Sequence, residues 1–452
     1  MMKFMLFLPL VLAMSCANHK PKTGLADIEI DIDVQEVKLE NGLTVLMVEN
    51  PKLPIFSLYM FYKVGGKNEH PGITGASHFL EHMMFKGAKK YGPGIIDFTI
   101  EGSGGSTNAY TTNDLTVYYE NLPSSQLDIM LDIEADRMEN LLLKPDDFEK
   151  ERSVVLEERK MRYENSPRGQ LFMQMMAEVF KGTPYGTSVI GNIPDLKSVS
   201  REQIFAYFKK FYAPNNVTMV IVGDIKSSKT RKMIEEKFGK IASSPSVQGE
   251  HDSLTPAMFK SELVKDREVH LKGATPQPMF MMSYPSYAHG HPKSYALDIL
   301  GSVLGDGDSS FLKKRYVLVK KPMASSIYAG NYTLEKSGVF FLGGELVKGV
   351  KLAEFKKTVQ SELALACESE ITEHAIMKVK NNYLLDVYKG LDTNAGLASF
   401  LGERHTFYGD YKAYKEELAI YAAIGVGDVK AVCQELVKEP SLFITVWEKN
   451  KN

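Results

Sequence analysis

Apolar and polar positions along the chain fall into two patterns: short unbroken apolar runs, and longer stretches where apolar residues recur every three or four positions. The first predicts strands and the second helices. Residues 37–45 place Asn41-Gly42 between two apolar arms, which predicts a hairpin. Apolar runs at 55–64, closed by Gly65-Gly66, at 115–122, and at 217–222, closed by Gly223-Asp224, predict further strands. Helical spacing begins near Gly75 and recurs over 127–142 and 147–163. Residues 241–256 are polar, hold two prolines and read as a linker. Beyond them the order recurs: strand 279–284, helix 292–304, strand 338–346, helix 350–367 and a last strand 442–447. This weak repetition predicts an α+β fold of two similar domains, 25–240 and 257–452, each a mostly antiparallel sheet packed with helices.

Composition agrees with that division. A chain of 452 residues is too long for one ordinary core. Its 44% hydrophobic and 24% charged residues are globular values, which exclude a disordered or fibrous chain. A net charge of -2 leaves no electrostatic footprint for nucleic acid.

The N-terminus reads as an address. Lys3 precedes an apolar run over 4–14, which fits a secretory signal spanning residues 1–15 and is too short to cross a bilayer. The run ends at Leu12-Ala13-Met14-Ser15-Cys16, which resembles a bacterial lipobox. The expectation is export to the periplasm, with Cys16 lipidated and residues 16–24 forming a polar tether to the outer membrane. Membrane contact would then be through the lipid alone; the alternative is a plain cleaved signal with an incidental cysteine. Cys367 and Cys433 each lie in a helix-like stretch and are expected as buried free thiols.

The segment that carries chemistry is Ser77-His78-Phe79-Leu80-Glu81-His82. On a helix, His78 and His82 lie on one face and can bind one metal ion, with Glu81 projecting to the same side. This H-x-x-E-H order is the inverzincin pattern. A catalytic zinc takes three protein ligands and keeps a position for water, so the histidines call for a third ligand and leave Glu81 free as general base. The bland alternative is a helix with two part-buried histidines. A second helix, around Glu151-Arg152-Ser153-Val154-Val155-Leu156-Glu157-Glu158, places Glu151, Val154, Val155 and Glu158 at i, i+3, i+4, i+7. That stripe is expected to be buried, yet it carries two carboxylates, and a buried carboxylate is costly unless paired or metal-bound. Glu158 as ligand with Glu151 behind it makes a coherent site; Glu on a solvated helix face is the alternative.

Together these residues resemble the pitrilysin, insulysin and mitochondrial processing peptidase family of zinc metallopeptidases, in its short two-domain bacterial form. The resemblance runs through Asn41-Gly42-Leu43, Gly65-Gly66-x-x-Glu69, Gly75-x-x-His78-Phe79-Leu80-Glu81-His82-Met83-x-Phe85-Lys86-Gly87 and Asn108-Ala109-Tyr110-Thr111. It continues through Glu151-Arg152, Glu158, Tyr212-x-Pro214-Asn215-Asn216 and Gly223-Asp224. It implies one zinc ion per chain held by His78, His82 and Glu158. It also implies Glu81 as the base acting on water and Glu151 as a supporting carboxylate. The implied substrate is a peptide or unfolded segment, bound as an added strand along Gly105, Asn108 and Ala109.

The family also implies a departure. Many members present an Arg and a Tyr, seven apart, from a C-terminal domain toward the zinc. Here the matching positions fall near Val317 or Leu318 and at Ser325, so neither is kept. The expectation is one half of a clamshell, the zinc-bearing subunit of a heterodimer whose related partner supplies Arg and Tyr; a homodimer is the alternative. A non-catalytic peptide-binding or assembly subunit is the competing function. His289-Gly290-His291 and the Lys313-Lys314-Arg315 run read as a loop and a solvated helix end.

Overall fold

The structure is a computed structural model that describes residues 30–261 and 263–447. The expected signal, tether and lipidated Cys16 lie outside the described residues. Two sheets organise the molecule. The first holds β1 (Gln35–Lys38), β2 (Thr44–Glu49), β3 (Ile55–Tyr62), β4 (Ser106–Thr111), β5 (Thr116–Pro123) and β6 (Val217–Gly223), in spatial order β1-β2-β6-β3-β5-β4. The second holds β7 (Arg267–Leu271), β8 (Met279–Ser286), β9 (Ala324–Thr333), β10 (Gly338–Leu346) and β11 (Leu442–Val446), in order β7-β11-β8-β10-β9. Pairing is antiparallel except for β2 with β6 and β7 with β11. This is the expected α+β architecture of two similar domains.

The central strands are almost wholly apolar, broken only by small residues such as Ser57, Thr218 and Ser283, because both faces of each sheet are covered. In β3, Phe56, Leu58, Met60 and Tyr62 face one core, while Tyr59 and Phe61 face another. The first core lies under helices α1 (Ala76–Met84), α2 (Ile95–Gly102), α3 (Leu127–Asn140) and α4 (Pro145–Arg159). The second is closed by a helix from the far half of the chain, Asn394–Tyr408, which brings Ala398 and Leu401 onto the sheet. Gly402 lets this helix approach: a Cβ there would lie 2.0 Å from the Phe61 ring. The exchange is reciprocal. Helix α5 (Pro167–Val179), from the first half, lays Leu171, Met175, Met176 and Val179 against Met281, Leu442, Ile444 and Val446 of the second sheet.

Three local readings change. The segment 241–256 carries a short helix, Val247–Ser253, and is held down by Asn215, which exchanges hydrogen bonds of 2.8 and 2.9 Å with the Ser244 backbone. Cys367 and Cys433 are not free thiols but a disulfide, because helices Leu352–Ser369 and Val426–Leu436 pack side by side and bring their Cα atoms to 5.5 Å. The buried stripe of α4 is Phe148, Glu151, Val155 and Arg159, whereas Val154 is 50% exposed and turned toward a cavity. After Arg159 the helix widens into a single π turn, Lys160–Glu164, which carries Met161 and Arg162 to that same cavity.

Candidate active site

The site begins with the start of α1. Gly75 has φ +90°, and a Cβ there would lie 2.6 Å from the Ile190 carbonyl oxygen, so glycine alone makes this entry without strain. The buried carboxylate of Glu69 accepts the amides of Gly75 at 2.6 Å and Ser77 at 2.8 Å, closing the helix N-terminus. Burial pushes this carboxyl up to about 8, against the pull of those two bonds.

One turn apart on α1, the rings of His78 and His82 stand 4.6 Å between centroids. Helix α4 packs across them and brings Glu158, whose Oε2 lies 3.6 Å from His78 Nε2 and 3.2 Å from His82 Nε2. The donor atoms of the three residues all fall within 4.8 Å of one another. Around a tetrahedral ion with bonds of about 2.0–2.1 Å, adjacent ligand atoms stand roughly 3.4 Å apart, so these separations fit one small cation. The donor set, two imidazoles and a carboxylate, suits zinc. Glu158 Oε2, though close to both rings, is buried and makes no aligned hydrogen bond, a lack that a bound cation would repair.

Of the two site carboxylates on α4, Glu151 is engaged at both oxygens and Glu158 at Oε1. Glu151 Oε1 lies 2.8 Å from His82 Nδ1 and its Oε2 2.7 Å from Lys86 Nζ. Glu158 Oε1 lies 3.0 Å from Arg162 Nε. The electrostatics follow. Burial, then the neighbouring His82, pulls His78 down to about 4, leaving a neutral imidazole. Burial pulls His82 down as well, but the carboxylates of Glu151 and Glu158 beside it outweigh that and carry it to about 9. The close His82 ring holds Glu158 below the usual carboxylate range. Burial raises Glu81, opposed by the Thr111 hydroxyl that donates to its Oε2.

A cavity of about 970 Å³ joins His78, Glu81 and His82 to Asn108 and Ala109. These last two lie on β4, the free edge of the first sheet, where the Ala109 amide donates to the Asn108 side chain at 2.9 Å. Gly105 precedes β4 and does not line the cavity. Val154, Met161 and Phe85 supply apolar wall. Sequence reasoning missed Lys86, Thr111 and Arg162 as partners of the three carboxylates. The i, i+4 spacing of Glu158 and Arg162 is a signal that could have found one of them. Thr111 reaches Glu81 only through the sheet, and no local pattern marks it.

Two family models match the chain in succession. Residues 44–193, which hold all three candidate ligands and Glu81, match the family model described as insulinase (peptidase family M16). Residues 198–383 match the model described as the peptidase M16 inactive domain. The zinc protease PqqE of Helicobacter pylori is 29% identical over 411 residues, covering 90% of each chain. The mitochondrial-processing peptidase subunit beta of Bos taurus is 24% identical over 434 residues, covering 94% of this chain and 86% of that one. Among solved structures, a protease from Helicobacter pylori superimposes with a TM-score of 0.85 at 27% identity, covering 92% of this chain and 100% of that one. With both of its halves matched in order and the whole fold reproduced, the chain belongs to the M16 peptidase family.

Proposed function

We propose that the chain is a zinc-dependent metallopeptidase that hydrolyses peptides or unfolded protein segments. The observation that carries this reading is the convergence of His78, His82 and Glu158 within 4.8 Å, beside Glu81 and the free edge of β4. Those three residues would hold one zinc ion, which when bound supplies Lewis acidity toward a peptide carbonyl and acidifies a water molecule. Glu81 takes the proton of the attacking water and delivers it to the departing amine nitrogen. Its burial favours this exchange, because it brings the carboxyl closer to neutrality. Glu151 engages His82 Nδ1 and so leaves Nε2 turned to Glu158. An extended peptide adds to β4 as a strand, displacing the Asn108 side chain from the Ala109 amide.

Relatives named zinc protease and mitochondrial-processing peptidase support the chemistry. A non-catalytic binding subunit is the weaker reading, since an intact base and ligand set serve no purpose in binding alone. Export to an oxidising compartment is part of the proposal, supported by the buried Cys367–Cys433 disulfide. So is a related partner subunit that supplies the Arg and Tyr this chain lacks. The test is cleavage of a mixed peptide library by the purified chain, before and after chelation and zinc return. Cleavage lost and restored with the metal is expected; cleavage indifferent to chelation would overturn the zinc reading. A chain that binds zinc but turns over only after the partner is added would favour the heterodimer, and full activity alone would dismiss it.

A further inference from the structure

Helix α4 runs on past Arg159 into the π turn Lys160–Glu164, and this turn is pinned at both ends. Arg159 is buried, donates to the Gly191 carbonyl at 2.9 Å and pairs with Glu164 at 2.6 Å. The Asn165 amide closes the turn on the Lys160 carbonyl at 2.8 Å. Gly169 of α5 packs so close that a Cβ there would collide with the Arg162 carbonyl oxygen. Single π turns recur at functional sites. This one presents the Arg162 side chain, 69% exposed, at a wall shared by two cavities. One is the cavity of about 970 Å³ over His78, Glu81 and His82. The other, of about 180 Å³, lies beside His78 between α5, the end of β4 and Tyr332 of β9.

We propose that Arg162 is a catalytic residue: its guanidinium donates to the carbonyl oxygen of the bond that is cut and stabilises the negative charge gathering there. The inference rests on the peptidase reading above and adds to it a donor that this chain supplies itself. Position argues for it. Arg162 Nε lies 3.0 Å from Glu158 Oε1, while Glu158 Oε2 faces the two imidazoles. That pairing fixes the guanidinium beside the candidate metal ligands and leaves Nη1 and Nη2 without a partner among the described residues. Competing donors are already engaged. Lys86 is the other Lys or Arg in the lining of the large cavity, and Glu151 holds its Nζ at 2.7 Å. The Thr111 hydroxyl is spent on Glu81, and the Ser153 hydroxyl reaches back to the Glu149 carbonyl at 3.3 Å. Charge argues for it too. Glu81, Glu151, Glu157 and Glu158 line the same cavity, and an oxyanion growing among carboxylates needs a fixed positive donor. The sequence leaves that place open, since neither the Arg expected near Val317 or Leu318 nor the Tyr expected at Ser325 is kept. Arginine suits the task because it stays charged at every working pH. It transfers no proton: Arg162 holds a hydrogen bond that strengthens as charge builds, and the proton of the water still travels by Glu81.

The test separates turnover from binding and from metal retention. Wild type, Arg162→Met and Arg162→Lys are loaded with zinc, and bound zinc, zinc affinity, kcat and KM are determined for each on one peptide. Arg162→Met keeps the reach of the side chain and removes its donors. Its kcat should fall roughly 10²- to 10³-fold, the usual loss for one oxyanion donor, with KM changed by less than about threefold and zinc retained. Arg162→Lys keeps the charge and should recover part of that loss. Methylguanidine added to Arg162→Ala should restore turnover, and should leave the wild type as it was. A phosphinic peptide, whose tetrahedral phosphinate carries the charge of the attacked carbonyl, should lose affinity by the same factor as kcat/KM. Zinc affinity falling in step with turnover would overturn the proposal, because Arg162 would then act only through Glu158. Unchanged kcat in Arg162→Met would overturn it as well. If the wild type cleaves nothing, the peptidase reading fails, and Arg162 is judged by the phosphinic peptide alone. A loss of roughly tenfold or more in Arg162→Met, with the matching uncharged peptide bound as before, would keep the donor, and equal affinity would dismiss it.

Discussion

At the scale of single residues, the helix of the proposed metal site was legible because its candidate ligands stand at fixed spacing. His78, Glu81 and His82 share a helix, and that alone puts two imidazoles and a carboxylate on one side of it. Glu158 was legible only in part. Its spacing from Glu151 set both on α4, but Val154, three residues after Glu151, misled: it faces the cavity rather than the core. An apolar residue at a cavity wall looks the same in sequence as one at a domain core. The pairing of His82 with Glu151 makes a quantitative prediction. Glu151→Gln keeps the shape but weakens the acceptor at His82 Nδ1, so zinc affinity should fall roughly 10- to 100-fold. Competition against a chromophoric chelator measures this, and unchanged affinity would remove Glu151 from the metal site. Lys86 loses its partner charge in the same variant, so Lys86→Ala should weaken zinc less than Glu151→Gln does.

At the scale of elements, strands and helices were largely foreseen, since unbroken apolar runs and helical spacing mark them directly. What covers each sheet was not foreseen. The apolar runs of β3 and β6 imply two covered faces, but nothing local names Asn394–Tyr408 as the cover. The same holds for the hairpin between β9 and β10. Its tip residue Glu335 pairs with Lys67, which is 1% exposed and also bonds Asp114 at 3.3 Å. Asp114 receives the Glu335 amide at 2.9 Å and the Tyr185 hydroxyl at 2.5 Å. Lys67 lies two residues before Glu69, the residue that closes the N-terminus of α1, so this clip ties the second half to the start of the helix that carries His78 and His82. Burial would raise Glu335, but Lys67 and Lys63 outweigh it and hold it at about 2. The folded chain thus keeps this carboxylate charged where the unfolded chain protonates it. Its contribution to stability is complete above about pH 4.5 and is lost as pH falls toward 2. Glu335→Ala should cost roughly 1–3 kcal/mol at neutral pH, because Lys67 loses one of its two carboxylate partners and keeps Asp114. Denaturant unfolding from pH 7 to pH 3 should show the wild type converging on the variant. Parallel pH profiles would contradict the clip.

At the scale of the whole molecule, each sheet borrows a helix from the other half. The division at 241–256 therefore marks a turn in the chain order rather than a seam between independent bodies: α5 belongs to the second sheet's packing and Asn394–Tyr408 to the first's. A chain ending at residue 240 would bare the Tyr59, Phe61, Val220 and Val222 face of the first sheet. Such a face is an aggregation surface, so the excised half should be recovered insoluble, or soluble only when the second half is co-expressed. A monomeric, cooperatively unfolding first half would contradict the exchange. The reciprocal packing also holds α5 and β9 together, which is what gives the small cavity beside His78 walls from both halves. The proposed activity, in which this chain's own residues cut peptides at a metal site, would then need the intact chain. The measurement that tests it most directly is Glu81→Gln, with bound zinc and peptide turnover determined on the same preparation. One zinc per chain is expected, as in the wild type, with turnover reduced roughly 10²- to 10⁴-fold. Wild-type turnover in that variant, with zinc in place, would contradict it.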